Sequence, residues 1–256
     1  MTPHMRRHRA FTLLVSAALL SACGKDPLQN ITAPPLESAV RFFNFGVGTP
    51  NVNFYANDVK MTAVLTSAGT EATTGTAYGG VGANGLYTGI KAGQYKLKAK
   101  LSAATDTVEK VGVTIETVKS YSFYTSGFYD ATAKTVEGFM VEDPIPAQID
   151  LTVAYVRFLN AIPNSSPMTL YAQPATGNEV QLGGTIAYKS AGAFATLPPG
   201  TYTLNTRTAG SATNAITRTG VAFLAGRVYT IGARGDITVT STTAATRPIL
   251  DNTANR

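Results

Sequence analysis

The sequence predicts an all-β chain built as two tandem copies of one domain, and three observations carry that reading. Short segments rich in Val, Ile, Thr, Tyr and Phe are separated by Gly, Pro, Asn or Ser at intervals of about 8 to 12 residues, the spacing of sandwiches and barrels. Within them apolar and polar residues alternate: Tyr95, Leu97, Ala99 and Leu101 fall on one face of a strand, and Gln94, Lys96, Lys98 and Lys100 on the other. The chain also repeats itself. Val40-Arg41-Phe42-Phe43-Asn44 returns as Val156-Arg157-Phe158-Leu159-Asn160, Ala92-Gly93-Gln94-Tyr95-Lys96-Leu97 as Pro199-Gly200-Thr201-Tyr202-Thr203-Leu204, and Tyr121 and Gly127 as Tyr229 and Gly235. The offset is 116 at the first landmark and 107 and 108 at the later ones, so one early loop differs in length.

Residues 1–22 read as an export signal: Arg6, Arg7 and Arg9 precede an apolar run from Phe11 to Leu20. Leu20-Ser21-Ala22-Cys23 resembles the lipobox of bacterial lipoproteins, a family in which the cysteine sulfur is acylated and becomes the new N-terminus. That resemblance implies a lipid anchor on Cys23, the only cysteine, and a cell-envelope location. Gly24 in place of Asp after it favours the outer membrane, by resemblance to enteric lipoproteins. Each buried methylene contributes about 0.8 kcal/mol, and two or more acyl chains hold stably. Residues 23–37 are polar, carry Pro34-Pro35 and show no period, the pattern of a flexible tether.

The first repeat is expected over 38–146 and the second over 147–256. Tyr202, Leu204 and Thr206 alternate with Thr203, Asn205 and Arg207 as their counterparts do in the first copy. Val111 to Ile115, Tyr121-Ser122-Phe123, Val228 to Thr230 and Ile237 to Val239 extend the strand pattern, and no window supports a substantial amphipathic helix. Glu142-Asp143-Pro144-Ile145-Pro146 reads as the seam between copies, because two prolines and two acids make a poor central strand.

At these landmarks the chain resembles, in two consecutive copies over roughly 38 to 146 and 150 to 251, the bacterial family catalogued as domain of unknown function 4397. The carriers are the V-R-F-x-N opening strand, a proline-bearing loop, an extended segment ending in tyrosine, the glycine-x-tyrosine step and the late tyrosine strand. The resemblance implies secreted or envelope proteins of β-sandwich type, here two immunoglobulin-like/transthyretin-like sandwiches, and lends no activity. The family's Val-Asp-Val-Tyr segment is Val52-Asn53-Phe54-Tyr55 and Met168-Thr169-Leu170-Tyr171 here, so its aspartate is missing from both copies.

Composition narrows the chemistry. The formal charge of +6 comes from 21 basic and 15 acidic residues, but residues 1–22 take three of the basic ones, leaving 18 against 15, a net of +3. That is no nucleic-acid signature. Both histidines, His4 and His8, lie in the signal, so the remaining chain offers neither imidazole nor, once Cys23 is acylated, a free thiol for triads or zinc. Gly80-Val81-Gly82-Ala83-Asn84-Gly85 has the letters of a dinucleotide fingerprint, yet Leu86-Tyr87-Thr88-Gly89 after it does not open a helix. No cofactor, no metal and no catalytic residue is therefore assigned.

Three features remain as candidates. Lys96, Lys98 and Lys100 form a stripe that either docks anionic lipopolysaccharide or an acidic glycan or protects an edge strand. The second copy lacks it. In Tyr121 to Tyr129, alternation sends Tyr121 and Phe123 to the core and Tyr124 to the opposite face, while Phe128 and Tyr129 near a turn are placed to stack on sugar rings or to fill a hairpin. Glu137, Glu142, Asp143 and Asp150 gather near the seam, where a solvated linker, a calcium site or an acid and base pair are the readings. Ligand-contact candidates are thus Lys96, Lys98, Lys100, Tyr124, Phe128 and Tyr129. The expected function is a non-enzymatic envelope lipoprotein serving binding, adhesion or scaffolding, its partners the membrane and an envelope glycan or protein. The alternatives are a carboxylate-based hydrolase of polysaccharide or peptidoglycan, needing two acids about 5 to 9.5 Å apart, and an accessory subunit of a larger envelope complex.

Overall fold

The computed structural model describes residues 37–256 except Thr105. The signal, the lipobox residues Leu20, Ser21 and Ala22, Cys23 and the tether to residue 36 lie outside the described residues. The fold is all-β. Its first half comprises β1 (Ser38–Asn44), β2 (Val52–Ala56), β3 (Val59–Lys60), β4 (Thr88–Ile90), β5 (Gly93–Leu101), β6 (Thr107–Ile115), β7 (Ser120–Asp130) and β8 (Thr135–Glu142). The second comprises β9 (Ala154–Asn160), β10 (Met168–Pro174), β11 (Val180–Ile186), β12 (Ser190–Ala191), β13 (Ala195–Leu197), β14 (Gly200–Thr208), β15 (Ile216–Phe223), β16 (Val228–Arg234) and β17 (Ile249–Ala254).

These strands make four sheets in two matching pairs. In the first half an outer sheet β3-β2-β5-β6 faces an inner sheet β4-β1-β7-β8; in the second, β11-β10-β14-β15 faces β12-β9-β16-β17, with β13 also on β9. β1 runs parallel to β7, and β9 parallel to β16, in the same relative register: Val40 opposes Tyr121 and Val156 opposes Tyr229. Each pair closes over its own core. Val40, Phe42, Phe54, Leu97, Ala99 and Phe123 fill the first, and Val156, Phe158, Leu170, Leu204, Phe223 and Ile231 the second. The tyrosines shared by the repeats act alike, since Tyr121 and Tyr229 each accept a hydrogen bond from the backbone N–H five residues upstream, at Glu116 and Leu224 (3.2 and 3.1 Å).

The opening motif explains how the halves join. Alternation turns Val40 and Phe42 toward one core and Val156 and Phe158 toward the other, which leaves Arg41, Phe43, Arg157 and Leu159 on the reverse faces. Those faces are buried as well, because the two inner sheets lie back to back. Phe43, Phe45, Tyr124, Phe139, Leu159 and Ala161 form a third apolar cluster between them. Asn44 and Asn160 end the motif as buried braces for loops: Asn44 donates to the carbonyls of Pro50 and Thr76, and Asn160 accepts from the N–H of Ile162.

The two buried arginines are used reciprocally. Arg41 Nη1 donates to the carbonyl of Ala254 and Arg157 Nη1 to that of Glu142, each at 2.8 Å, so each repeat's first strand grips the last strand of the other. Arg41 stacks on Tyr87 (4.0 Å to the ring centre) and Arg157 on Phe194 (4.9 Å), residues separated by the repeat offset of 107. Ser122 donates to Asp143 at 2.7 Å, and Thr230 to Asn255 at 2.8 Å. The symmetry is incomplete: Arg157 Nε donates to Thr230 at 2.9 Å, whereas Arg41 Nε is buried without a partner among the described residues. Asp143 is a carboxylate and forms a wholly buried ion pair with Arg157, whereas Asn255 offers an amide. Tyr87 ties the two together, donating to Asp143 (2.6 Å) and accepting from Asn255 (2.9 Å). Burial, reinforced by the Asp143 charge, pushes the Tyr87 phenol up, so it stays a donor.

This placement corrects the reading of Asp143 as part of a solvated linker: the residue after β8 is held at 2 % exposure by Arg157, Ser122 and Tyr87. Replacing Arg157 with Met strands that carboxylate. We expect a loss of about 3 to 5 kcal/mol in the denaturant midpoint analysis, and most of it should return in the Arg157→Met/Asp143→Leu double variant, because the cost is that of an unpaired buried charge. A single variant within about 0.5 kcal/mol of wild type would contradict the role assigned to this pair.

Candidate functional site

The lysine stripe lies on the outer face of the first outer sheet. β5 pairs with β2 on one side and β6 on the other, so Lys98 sits between Tyr55 and Lys110, Lys100 beside Asn53, and Lys96 opposite Gly112. β5 is therefore an interior strand, which corrects the edge-protection reading. A ladder already paired on both sides needs no lysine to repel a neighbour. Lys60 of β3 joins the same face opposite Tyr55. Five lysines thus share one surface with two acids, Asp58 and Glu71, paired to Lys98 and Lys60 respectively.

The surface has relief. Gly112 leaves open space where a side chain would stand, and Asp58, Gln94, Lys96, Lys98, Lys110 and Thr114 surround a trough of about 750 Å³. Lys100 Nζ lies 4.6 Å above the Tyr55 ring, which joins an aromatic platform to the cationic row. The hydrogen bond from Lys98 holds the Asp58 carboxyl below its ordinary range, so it stays ionised and partly neutralises that lysine. Lys96, Lys100 and Lys110 have no carboxylate partner among the described residues.

In the second half the corresponding strand face carries Thr203, Asn205 and Arg207. Arg207 stacks 4.3 Å over Tyr171, as Lys100 does over Tyr55, but it is also bound by Glu179 (2.7 Å). The cation is spent there within the protein.

The aromatic candidates separate. Tyr124 is 1 % exposed, stacked between Phe43 (4.4 Å) and Phe139 (5.2 Å) in the cluster between inner sheets, which corrects its assignment as a ligand contact. Alternation gave its face rightly; that face meets protein. Tyr129 packs against the first core, and Phe128 stands 49 % exposed where Gly127, at φ +81°, and a register shift break the β7 pairing.

The acids scatter too. Glu142 pairs with Lys119, Asp150 accepts from the N–H and hydroxyl of Thr152 in a turn, and Asp143 belongs to the buried network. Among the described residues no three metal-ligating side chains gather. Glu137 instead meets Glu109, which the sequence did not single out. Glu109 stands opposite Ala99 in the regular register, and its side chain crosses Gly138 of β8, where a methyl group would collide with its Cγ at 2.7 Å. Glu109, Glu137, Phe128 and Lys189 line one shallow depression. Burial pushes Glu109 up, while Lys189 and the Tyr188 hydroxyl hold Glu137 down. Two divergent carboxylates are what acid and base chemistry requires. Glu137, however, is engaged by Lys189 at 2.9 Å and Tyr188 at 2.8 Å.

The segment Gly80 to Gly85 is a loop with a single 3-10 turn, Ala83–Gly85, between β3 and β4. It lacks the helix whose N-terminus a dinucleotide needs.

A family model described as "Domain of unknown function (DUF4397)" matches residues 154–256. The second repeat resembles that family. The match begins at the first residue of β9 and takes in both sheets of the second half. No curated protein matches the chain. Among solved structures, a candidate cell adhesion protein from Bacteroides fragilis aligns over 87 % of this chain and 98 % of its own, at 10 % identity and a TM-score of 0.24. One from Bacteroides ovatus aligns over 85 % and 96 %, at 9 % identity and a TM-score of 0.23. Values this low transfer neither fold nor activity.

Glu109 gives a pH-dependent expectation. Because its folded value lies above the ordinary 4.5, the folded chain keeps a proton that the unfolded chain releases, and stability falls as pH rises through that interval. Glu109→Gln should therefore raise the melting temperature at pH 7 and leave it unchanged at pH 4. Equal shifts at both pH values would refute the burial cause.

Proposed function

We propose that the chain is a lipid-anchored, non-enzymatic envelope module with two working ends: Cys23 holds it to the outer membrane, and the lysine face of the first outer sheet binds an anionic glycan. The observation that carries the binding half is the unmatched charge of Lys96 and Lys110 around a trough, with Lys100 stacked on Tyr55 along the same face. Spaced cations on a rigid sheet suit a polymer with repeated carboxylates or sulfates, and a nearby ring suits the apolar face of a sugar. The second repeat acts as scaffold, since its equivalent cation is taken by Glu179.

The anchoring half is supported by the lipobox resemblance of Leu20-Ser21-Ala22-Cys23, and no helix among the described residues is long and apolar enough to cross a membrane. A carboxylate hydrolase is the weaker reading, because Glu137 is committed to Lys189 and Tyr188 beside Glu109.

Two measurements test the two halves. Immobilised hyaluronan should retain the protein at low ionic strength and release it as salt rises, and Lys96→Glu/Lys110→Glu should weaken retention at least tenfold with an unchanged melting temperature. Salt-insensitive retention, or none at low salt, refutes the lysine face. An alkyne fatty acid fed to cells should label the wild-type chain and not Cys23→Ala. Labelling of both would place the lipid elsewhere.

A further inference from the structure

A second cavity lies at the other end of the same strand. It holds about 180 Å³ and is lined by Asn53, Thr62, Thr76, Gly80, Gly82 and Asn84, with small apolar side chains between them and no charged or aromatic group. Its chemistry is therefore that of hydrogen bonding without ionic attraction.

Two of its features call for a ligand. Asn53 is 8 % exposed, and its side-chain amide has no hydrogen-bond partner among the described residues. It is not one of the sealed unpartnered atoms, so the amide opens into the cavity. A buried primary amide offers two donors and an acceptor, and leaving them unused is costly. Thr62 adds to this, since its Oγ1 accepts from the N–H of Phe54 at 3.0 Å and keeps its own proton free to donate. The wall is also strained: Ala83 and Asn84 both adopt left-handed backbone, at φ 49° and 54°, where neither is a glycine. The segment between β3 and β4 that builds the wall is peculiar to the first repeat. Val40 to Gly93 spans 53 positions, and Val156 to Gly200 spans 44.

Position connects this cavity to the lysines. Asn53 and Tyr55 share one face of β2, and Asn53 opposes Lys100 while Tyr55 opposes Lys98. From Asn53 to Asn57, which borders the trough, is four residues, or about 13 Å of strand. A short saccharide laid along β2 would meet a neutral hydrogen-bonding cleft, then an aromatic ring, then a cationic trough.

We propose that this cleft is a subsite for one neutral, hydroxylated sugar ring of the acidic glycan held by the lysine face, with Asn53 as its hydrogen-bonding residue. The identity of the polymer rests on the reading given above; the neutrality and size of the cleft do not. Charged or aromatic ligands find no partner in it, and its volume is well below the roughly 300 Å³ of a drug-sized site.

Saturation-transfer NMR on the intact chain, with glucose, galactose and N-acetylglucosamine as separate probes, tests the cleft alone. At least one sugar should give a signal that Asn53→Ala weakens about tenfold and that Lys96→Glu/Lys110→Glu leaves unchanged. Ala72→Leu enlarges a side chain that lines the cleft and should abolish the signal; together with melting curves, it separates loss of binding from loss of folding. Hyaluronan oligosaccharides test the connection, and here both Asn53→Ala and the lysine variant should weaken binding. If hyaluronan binds through the lysines while no neutral sugar binds and Asn53→Ala changes nothing, the subsite is overturned and the lysine face stands. If a neutral sugar binds through Asn53 and hyaluronan does not bind at all, the lysine face falls and the cleft stands. Silence from every probe overturns both.

Discussion

The architecture depends on burying both faces of one strand in each repeat. A strand that opens with Val-Arg-Phe and ends in Asn has an apolar face for its own core and a second face carrying arginine. In an isolated sandwich that arginine would stand in water. Here the inner sheets meet, and each guanidinium is desolvated against the last strand of the other repeat. Desolvating two such cations is expensive, and a buried ion pair returns little net stability compared with an apolar replacement. What Arg157 and Asp143 supply is selection of one arrangement. Any slip of one inner sheet over the other leaves a charge unpaired, whereas apolar residues such as Phe43 and Leu159 tolerate small shifts.

Because the inner sheets are consumed by this contact, only the outer sheets and the loops are left to meet a ligand. The two outer sheets have diverged. The first carries lysines without carboxylate partners, an open amide on β2 and a longer loop beside it; the second carries a cation neutralised by Glu179 and a shorter connection. Equivalent positions, Lys100 and Arg207, keep the same contact with tyrosine, so the stacking belongs to the fold and the free charge to the first repeat.

The strands and their core faces were legible from alternation and from the repeat, since both are local properties of sequence. Leu97 and Ala99 are fully buried as their spacing requires. What alternation does not carry is the identity of the material on a strand's second face. Tyr124 was placed on the correct side of β7, but a sequence offers no sign that another sheet lies there. Asp143 shows the same limit: next to two prolines it has the composition of an exposed seam, and only the arrival of Arg157 from the other repeat makes it a core residue. The edge-strand reading of Lys96 to Lys100 fails for a different reason. Three alternating lysines imply a polar face, and whether their strand is interior or edge depends on partners far along the chain, Val52 to Ala56 and Thr107 to Ile115.

Glu109 and Asn53 become pocket residues through what distant segments bring to them: Glu109, in regular register opposite Ala99, meets Gly138 of β8, and the loop bridged to Val52 at Thr76 borders Asn53. Such approaches are where a β framework creates concavity, because an unbroken pleated sheet presents a nearly flat surface. The amide of Asn53 fits its surroundings. A carboxylate at this largely buried position would bear a desolvation cost offset only by Lys100 across the strand pair, whereas an amide keeps acceptor and donors at neutral charge. The lysines next door do not line the cleft, so charge and neutrality are kept apart across one sheet face.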